Sequence, residues 1–538
     1  MSRVSSTILI LFFMVFLAFA VRSLSFQWSS LPYNIDGLSE LRVSEDILSS
    51  GHIDFPANAS YIDTYVPDMP IFSLFTAFFS AATGVSVLES IQLATSLIGS
   101  VAVALVFILF RKFWSTSRGL LATGLVLALT GSFVFSTGSV WKETLGLLLV
   151  ALALYSYTLR SQIPYRMLLL LSLMLLIYTH HHSTIVAFTI FTFAIAINLA
   201  HKLKSSRLDS DDIADIVTIG GVWTLAAGYY SFVDLPYVKY LSPQTDLYLF
   251  VAISAMLMIL AIRLSTLNRP LVKTFPVGVL VPIAGALLML YNYYDPLFPG
   301  TPAPAALIAV PFLAYLILVV PAWTGARLAF ASSGPAKDLM LAMILGPMAL
   351  ILFAFLRGFD NTSYTIIYRT FDFLMPALAI LIGLGFALII KNREKVGAVA
   401  GAFLVVICAS TLPIAYNTQE LFGVQNHTFQ FEYDAFEWLS QHGIDSYVSD
   451  QRLSETGWRL FDMDGVRGLP YDLVENISLE RGRFHVIEEQ WSTIGAQEFP
   501  FGVVVVEQAK IATVLDDGEV VFVGGAVENQ LVAFRPVG

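Results

Sequence analysis

Apolar residues along this chain fall in long blocks separated by short polar stretches. About thirteen windows of roughly 17 to 22 residues precede residue 416, each long enough to cross a hydrocarbon core of about 30 Å. They lie near 5–25, 88–110, 119–137, 143–159, 166–181, 183–200, 214–232, 246–265, 275–294, 304–322, 338–356, 372–390 and 396–415. Residues 66–84 are also apolar, but the segment is short and opened by two prolines, and this predicts an interfacial helix rather than a span. From Phe431 the pattern turns soluble. Tyr433–Gln441 has helical spacing, while Phe501–Glu507, Glu519–Val523 and Leu531–Phe534 alternate or cluster as strands. The expected fold is a polytopic α-helical membrane protein over 1–416, with a first external loop at 26–87 and a small external α/β or α+β C-terminal domain over 417–538.

Composition agrees with that pattern. A hydrophobic fraction of 56%, 13% charged residues and a mean hydropathy of +0.72 exclude an ordinary soluble protein of this length. The single cysteine, Cys408, lies in an apolar stretch and permits no intramolecular disulfide. Residues 417–538 hold 20 Asp and Glu against 7 Lys and Arg, so nucleic acid is not an expected partner.

Loop charge sets the expected orientation. With the N-terminus inside, Arg3, Arg111, Lys112, Arg118, Arg160, Arg166, Lys202, Lys204, Arg207, Arg263, Arg269, Lys273, Arg327, Lys337, Lys391, Arg393 and Lys395 fall on the inner side. Arg22, Arg42, Lys142, Lys239, Arg357 and Arg369 fall outside. The odd number of spans then puts the tail outside. The first span also fits a cleaved signal peptide, with Arg3 before it and Ala18-Phe-Ala20 within it. Sequons at Asn58, Asn361, Asn426 and Asn476 all land on the outer side.

The candidate chemistry gathers in the predicted outer loops. The first carries Asp36-Gly-Leu-Ser-Glu40-Leu-Arg42-Val-Ser-Glu45-Asp46-Ile-Leu-Ser-Ser-Gly51, an acidic run just past a span, where a lipid-linked substrate presents its headgroup. The run and its placement resemble the first external loop of the type C glycosyltransferases, and within them the oligosaccharyltransferase catalytic subunit. Asp36, Leu41, Arg42, Glu45, Ile47, Leu48 and Gly51 match, whereas Glu40 stands where that subunit usually has histidine. The resemblance implies transfer of a sugar from a polyprenyl (dolichyl or undecaprenyl) phosphate to a glycan, lipid or protein acceptor at the outer membrane face.

Such a transfer needs a carboxylate to take the acceptor proton and positive charge where the phosphate departs. Asp36 is the candidate base. It also fits the N-cap of a short amphipathic helix that Gly51 would stop. Glu143 resembles a second-loop acidic residue that in the oligosaccharyltransferase subunit helps to bind a divalent cation. A magnesium or manganese ion held by Asp36 and Glu143 is therefore one possibility. Lys142 beside it offers direct neutralisation of phosphate, and a first-turn Glu favouring the helix dipole is the plainer role.

Arg369 lies in Tyr368-Arg-Thr-Phe-Asp-Phe-Leu-Met-Pro376, which resembles the family's phosphate-binding arginine segment. It fits either a fork onto phosphate or an i, i+3 pair with Asp372, and Arg357 is the second candidate. His180, His181 and His182 fill a short outer turn. Consecutive residues point in different directions, so one site cannot readily use all three.

The tail lacks the Trp-Trp-Asp-Tyr-Gly motif of the oligosaccharyltransferase subunit, and Trp458-Arg459-Leu-Phe-Asp462 does not replace it. That weighs against sequon glycosylation. Asp462-Met-Asp464-Gly465 lacks the remaining spacing of a calcium loop. Alternative functions are en-bloc glycan transfer and a transporter or polymerase. A transporter should bury charge near mid-membrane, whereas most charges here sit at span ends.

Overall fold

A computed structural model describes residues 3–53, 68–204, 209–233, 235, 241–242, 244–266, 277–295, 308–331, 334–391, 394–416, 425–480, 482–498, 502–526 and 529–536. Asn58, Arg207, Lys239, Arg269, Lys273 and Arg393, used above, lie outside the described residues.

The membrane part is a helical bundle. Its elements are α1 (Arg3–Arg22), α2 (Asp36–Ser50), α3 (Ile71–Thr83), α4 (Val87–Phe113), α5 (Ser117–Leu129), α6 (Gly131–Gly138), α7 (Lys142–Tyr157), α8 (Ile163–Ile177), α9 (His181–Lys204), α10 (Ser210–Tyr230), α11 (Thr245–Thr266), α12 (Val277–Tyr294), α13 (Ala309–Ala331), α14 (Pro335–Arg357), α15 (Asn361–Ile389) and α16 (Glu394–Ala409). A helix, or at 119–137 a helix pair, occupies each predicted apolar window. Among the described residues, eight helices are long and apolar enough to cross a membrane, or up to nine if the α5–α6 pair, bent by 63°, is one span.

Three local features differ from the expectation. The window at 119–137 breaks at Thr130, and the carbonyl of Leu127 next to the break accepts from the Arg22 guanidinium at 3.2 Å. Arg22, expected at an outer loop, is instead fully buried, and its Nε donates to Thr137 at 2.9 Å. Helix α15 begins at Asn361, well before the predicted 372. The Asp360 side chain accepts from Ser363 N at 2.7 Å and caps a turn that hydropathy does not mark. Within the apolar segment predicted to be interfacial, Ile71–Thr83 forms α3, a helix of 13 residues and therefore about 20 Å long, too short to span.

The C-terminal part has its own core around Phe436, Tyr447, Trp491 and Phe534. Its helices are α17 (Gln430–Gln441), α18 (Gln451–Phe461), α19 (Leu469–Glu475) and α20 (Gln508–Asp516). Its strands are β1 (Ser446–Ser449), β2 (Asp464–Arg467), β3 (Phe484–Glu488), β4 (Ala496–Glu498), β5 (Gly502–Val504), β6 (Gly518–Ala526) and β7 (Asn529–Pro536). The main sheet has the order β2-β1-β3-β7-β6, with β1 parallel to β2 and β3, and β7 antiparallel to β3 and β6. This is the mixed α/β arrangement expected from the pattern, with β4 and β5 pairing separately.

Candidate active site

Two close approaches bring the outer loops together. A Cβ on Gly37 would lie 2.7 Å from Val140 Cβ, so glycine lets the first turn of α2 rest directly on the loop before α7. Val140 N also donates to Tyr33 O at 2.8 Å. At Gly146, a side chain would collide with Ser183, and its absence draws the start of α7 against the start of α9. The consequence is that Asp36, Glu40, Lys142, Glu143 and His180 share one end of the bundle.

Charges of both signs gather there in pairs. Asp36 and Glu40 are one turn apart on α2. Lys142 Nζ stands 3.6 Å from Glu40 Oε1, and Glu40 Oε2 accepts from Ser73 Oγ at 2.6 Å. Burial holds the Glu40 carboxyl above the ordinary range, opposed by Lys142 and the Ser73 hydroxyl. Glu143, the next residue in the chain, is 1% exposed, and neither of its oxygens accepts a hydrogen bond. Arg369 Nε, the cation facing it, lies 3.9 Å away. A buried carboxylate left this bare is costly unless another group arrives during function.

Arg369, from the early part of α15, stands between Glu143 and the histidines. Its Nη1 is 3.4 Å from His180 Nε2, its Nε donates to Tyr368 OH at 3.1 Å, and its guanidinium lies 5.3 Å from the centre of the Trp141 ring. His180 is oriented by Ser183 Oγ, 2.7 Å from Nδ1, while His182 turns to Thr370 at 3.1 Å. All three histidines are buried, and they diverge as adjacent positions must. Asp372 is buried one turn beyond Arg369, within the electrostatic reach of both Arg369 and Glu143.

Two expectations resolve differently. Asp36 is the first helical residue of α2 rather than its N-cap, and it makes no side-chain cap. Asn34 Oδ1 instead accepts from Asp36 N at 3.0 Å, and Gly51 ends the helix at φ 76° as expected. Arg357 is held at the end of α14 by Asp246 at 3.2 Å and Asp360 at 2.5 Å, whereas Arg369 meets Glu143 and His180.

Sequence reasoning missed what Asp36 faces. Arg459 Nη2 of α18 lies 3.4 Å from Asp36 Oδ1, and its Nη1 donates to Ser39 Oγ at 2.6 Å. These residues are separated by more than 400 positions, and no local signal links them. Asp68, whose carboxyl is raised by burial and lowered by Lys142, is a further acidic neighbour that was missed.

Among the described residues, the carboxylates do not assemble a divalent-cation site. Asp36 faces Arg459, Glu143 faces Arg369, and Glu40 faces Lys142. Among the described residues, no three His, Cys, Asp or Glu side chains converge as a ligand set. Lys142 and Arg369 are cations at this end of the bundle, each beside a buried carboxylate.

No family model and no curated protein matches the chain. Solved structures do. The archaeal oligosaccharyltransferase AglB from Archaeoglobus fulgidus, in complex with an inhibitory peptide and a dolichol-phosphate, aligns at TM-score 0.51 and 12% identity, over 90% of this chain and 69% of that one. The arabinofuranosyltransferase AftD from Mycobacteria aligns at TM-score 0.51 and 13% identity, over 100% of this chain and 40% of the longer AftD chain. The fold is thus shared with both, and the chain has the type C glycosyltransferase fold.

Proposed function

We propose that this protein is a membrane glycosyltransferase that moves one sugar from a polyprenyl-phosphate donor to an acceptor at the outer membrane face, with inversion. The observation that carries this reading is the gathering at one end of an apolar bundle of two cations on buried carboxylates, Lys142 on Glu40 and Arg369 on Glu143, with the half-exposed Asp36 one helical turn from Glu40. A donor with apolar tail and anionic headgroup matches both features.

In the proposed reaction the acceptor hydroxyl oxygen attacks the anomeric carbon, Asp36 takes the hydroxyl proton, and the bond from that carbon to the phosphate oxygen breaks. The departing polyprenyl phosphate gains one negative charge. Arg369 meets that charge with its planar fork and Lys142 with a point charge, and His180 holds the guanidinium in place. Preset carboxylate partners keep both cations oriented before the donor arrives, so little reorganisation remains for the reaction step.

Dolichol-phosphate in the AglB structure supports a lipid-linked donor. The distribution of basic residues supports an inner N-terminus and an outer tail. The test is incubation of purified protein with radiolabelled polyprenyl-phosphate and polyprenyl-pyrophosphate sugars. Turnover confined to pyrophosphate-linked glycans would replace this reading with en-bloc transfer.

A further inference from the structure

We propose that Arg459, in the C-terminal part, is a positioning residue for Asp36, so that the two parts of the chain together build the acceptor side of the site. This rests on the assignment of Asp36 as base. Asp36 is 39% exposed and is not a cap, so α2 alone leaves its carboxylate free to rotate. Arg459 is 7% exposed and fixed on three sides. Nη1 donates to Ser39 Oγ at 2.6 Å, Nη2 faces Asp36 at 3.4 Å, and Nη2 and Nε donate to Glu455 at 3.1 and 3.3 Å.

The helix that presents Arg459 is itself held firmly. Asp450 caps α18 by accepting from Leu453 N at 2.8 Å, and its other oxygen accepts from Gln497 N at 3.0 Å. Arg452 is buried between Glu432 at 2.8 Å and Glu488 at 2.9 Å. Glu455 also accepts from Arg467 at 2.7 Å, which fixes the carboxylate that orients Arg459. A guanidinium on so rigid a mount holds one Asp36 oxygen and leaves the other for the acceptor proton.

A docking contact alone would show itself in stability; a positioning contact shows itself in turnover at unchanged donor binding. The experiment measures kcat, donor affinity and thermal midpoint for the full chain carrying Arg459→Gln, Arg459→Lys and Ser39→Ala, with polyprenyl-phosphate sugar as the probe. Arg459→Gln should lower kcat by about 10²-fold, the scale of a misplaced catalytic group, with donor affinity kept. Arg459→Lys should recover part of the loss because it keeps the charge. Ser39→Ala should fall between wild type and Arg459→Gln, and it supplies the answer should Arg459→Gln fail to fold.

A lowered midpoint with kcat intact in the folded fraction would overturn the proposal and leave docking as the role. Asp36→Asn separates the two claims. Full activity in that variant refutes the base assignment. An unchanged kcat in Arg459→Gln, alongside an inactive Asp36→Asn, refutes only the positioning role.

Discussion

Helices α7 and α9 carry ion-rich clusters at both ends, and the two are built differently. At the C-terminal ends, Arg160 meets Asp215 at 2.5 Å, and Lys202 meets Asp209 at 2.5 Å and Asp212 at 2.8 Å. Arg160, Lys202, Asp209 and Asp212 line a small cavity of about 150 Å³. At the N-terminal ends, Lys142 and Arg369 stand 3.6 and 3.9 Å from carboxylates that are almost fully buried, and one of those carboxylates accepts no hydrogen bond. The first cluster is closed upon itself and partly exposed, which describes a staple between helix ends. The second is buried yet incompletely satisfied, a state that folding alone does not favour. On the proposed reading, the first is scaffold and the second is the site.

The largest expected effect lies at Asp36. Asp36→Asn should reduce transfer by about 10²- to 10⁴-fold, the scale of a lost general base, while the thermal midpoint stays within a few degrees. A destabilised but active variant would return Asp36 to a structural role.

Arg369 comes next. Arg369→Ala should weaken donor binding and turnover more than Arg369→Lys, which keeps charge but loses the fork. Asp372→Asn should be milder than Arg369→Ala, as measured by donor titration. Equal loss of stability in both, with normal donor affinity, would reduce Arg369 to an ion-pair partner.

Glu40 gives a smaller effect with a pH signature. Because its carboxyl is raised by burial, the folded state holds its proton more tightly than the unfolded chain does. Its contribution to stability therefore falls as pH rises from the ordinary carboxylate range through its folded value. Glu40→Gln should flatten that slope in thermal melts taken across pH. A variant with an unchanged slope would show that Lys142 fully offsets the burial.

The smallest effect is expected at the other end. Arg160→Lys should cost about 1 kcal/mol, as partly exposed pairs do, and leave transfer within about twofold of wild type. A loss of transfer matching that of Arg369→Lys would erase the distinction between the clusters.

Much of this architecture was legible in the hydropathy pattern, because membrane helices obey one dominant constraint. Lys142, Glu143, Arg369 and the histidines were also legible as candidates, since each lies at or near the end of an apolar window. What the pattern does not carry is pairing across the chain. The Glu40–Lys142 pair depends on Gly37 admitting Val140, and the Asp36–Arg459 contact depends on where α18 comes to rest. The segment around Arg459 matches no expected tail motif, yet it delivers the residue nearest the candidate base. The break at Thr130 was hidden because hydropathy is unchanged across it, and the buried Arg22 that supports it reads in sequence as an ordinary flanking charge.

The most direct test of the central claim is titration of the purified protein with a polyprenyl phosphate, comparing wild type, Arg369→Ala and Arg160→Ala. The account predicts saturable binding in wild type and Arg160→Ala and its loss in Arg369→Ala. Binding that survives in Arg369→Ala, or that disappears equally in both variants, would contradict it.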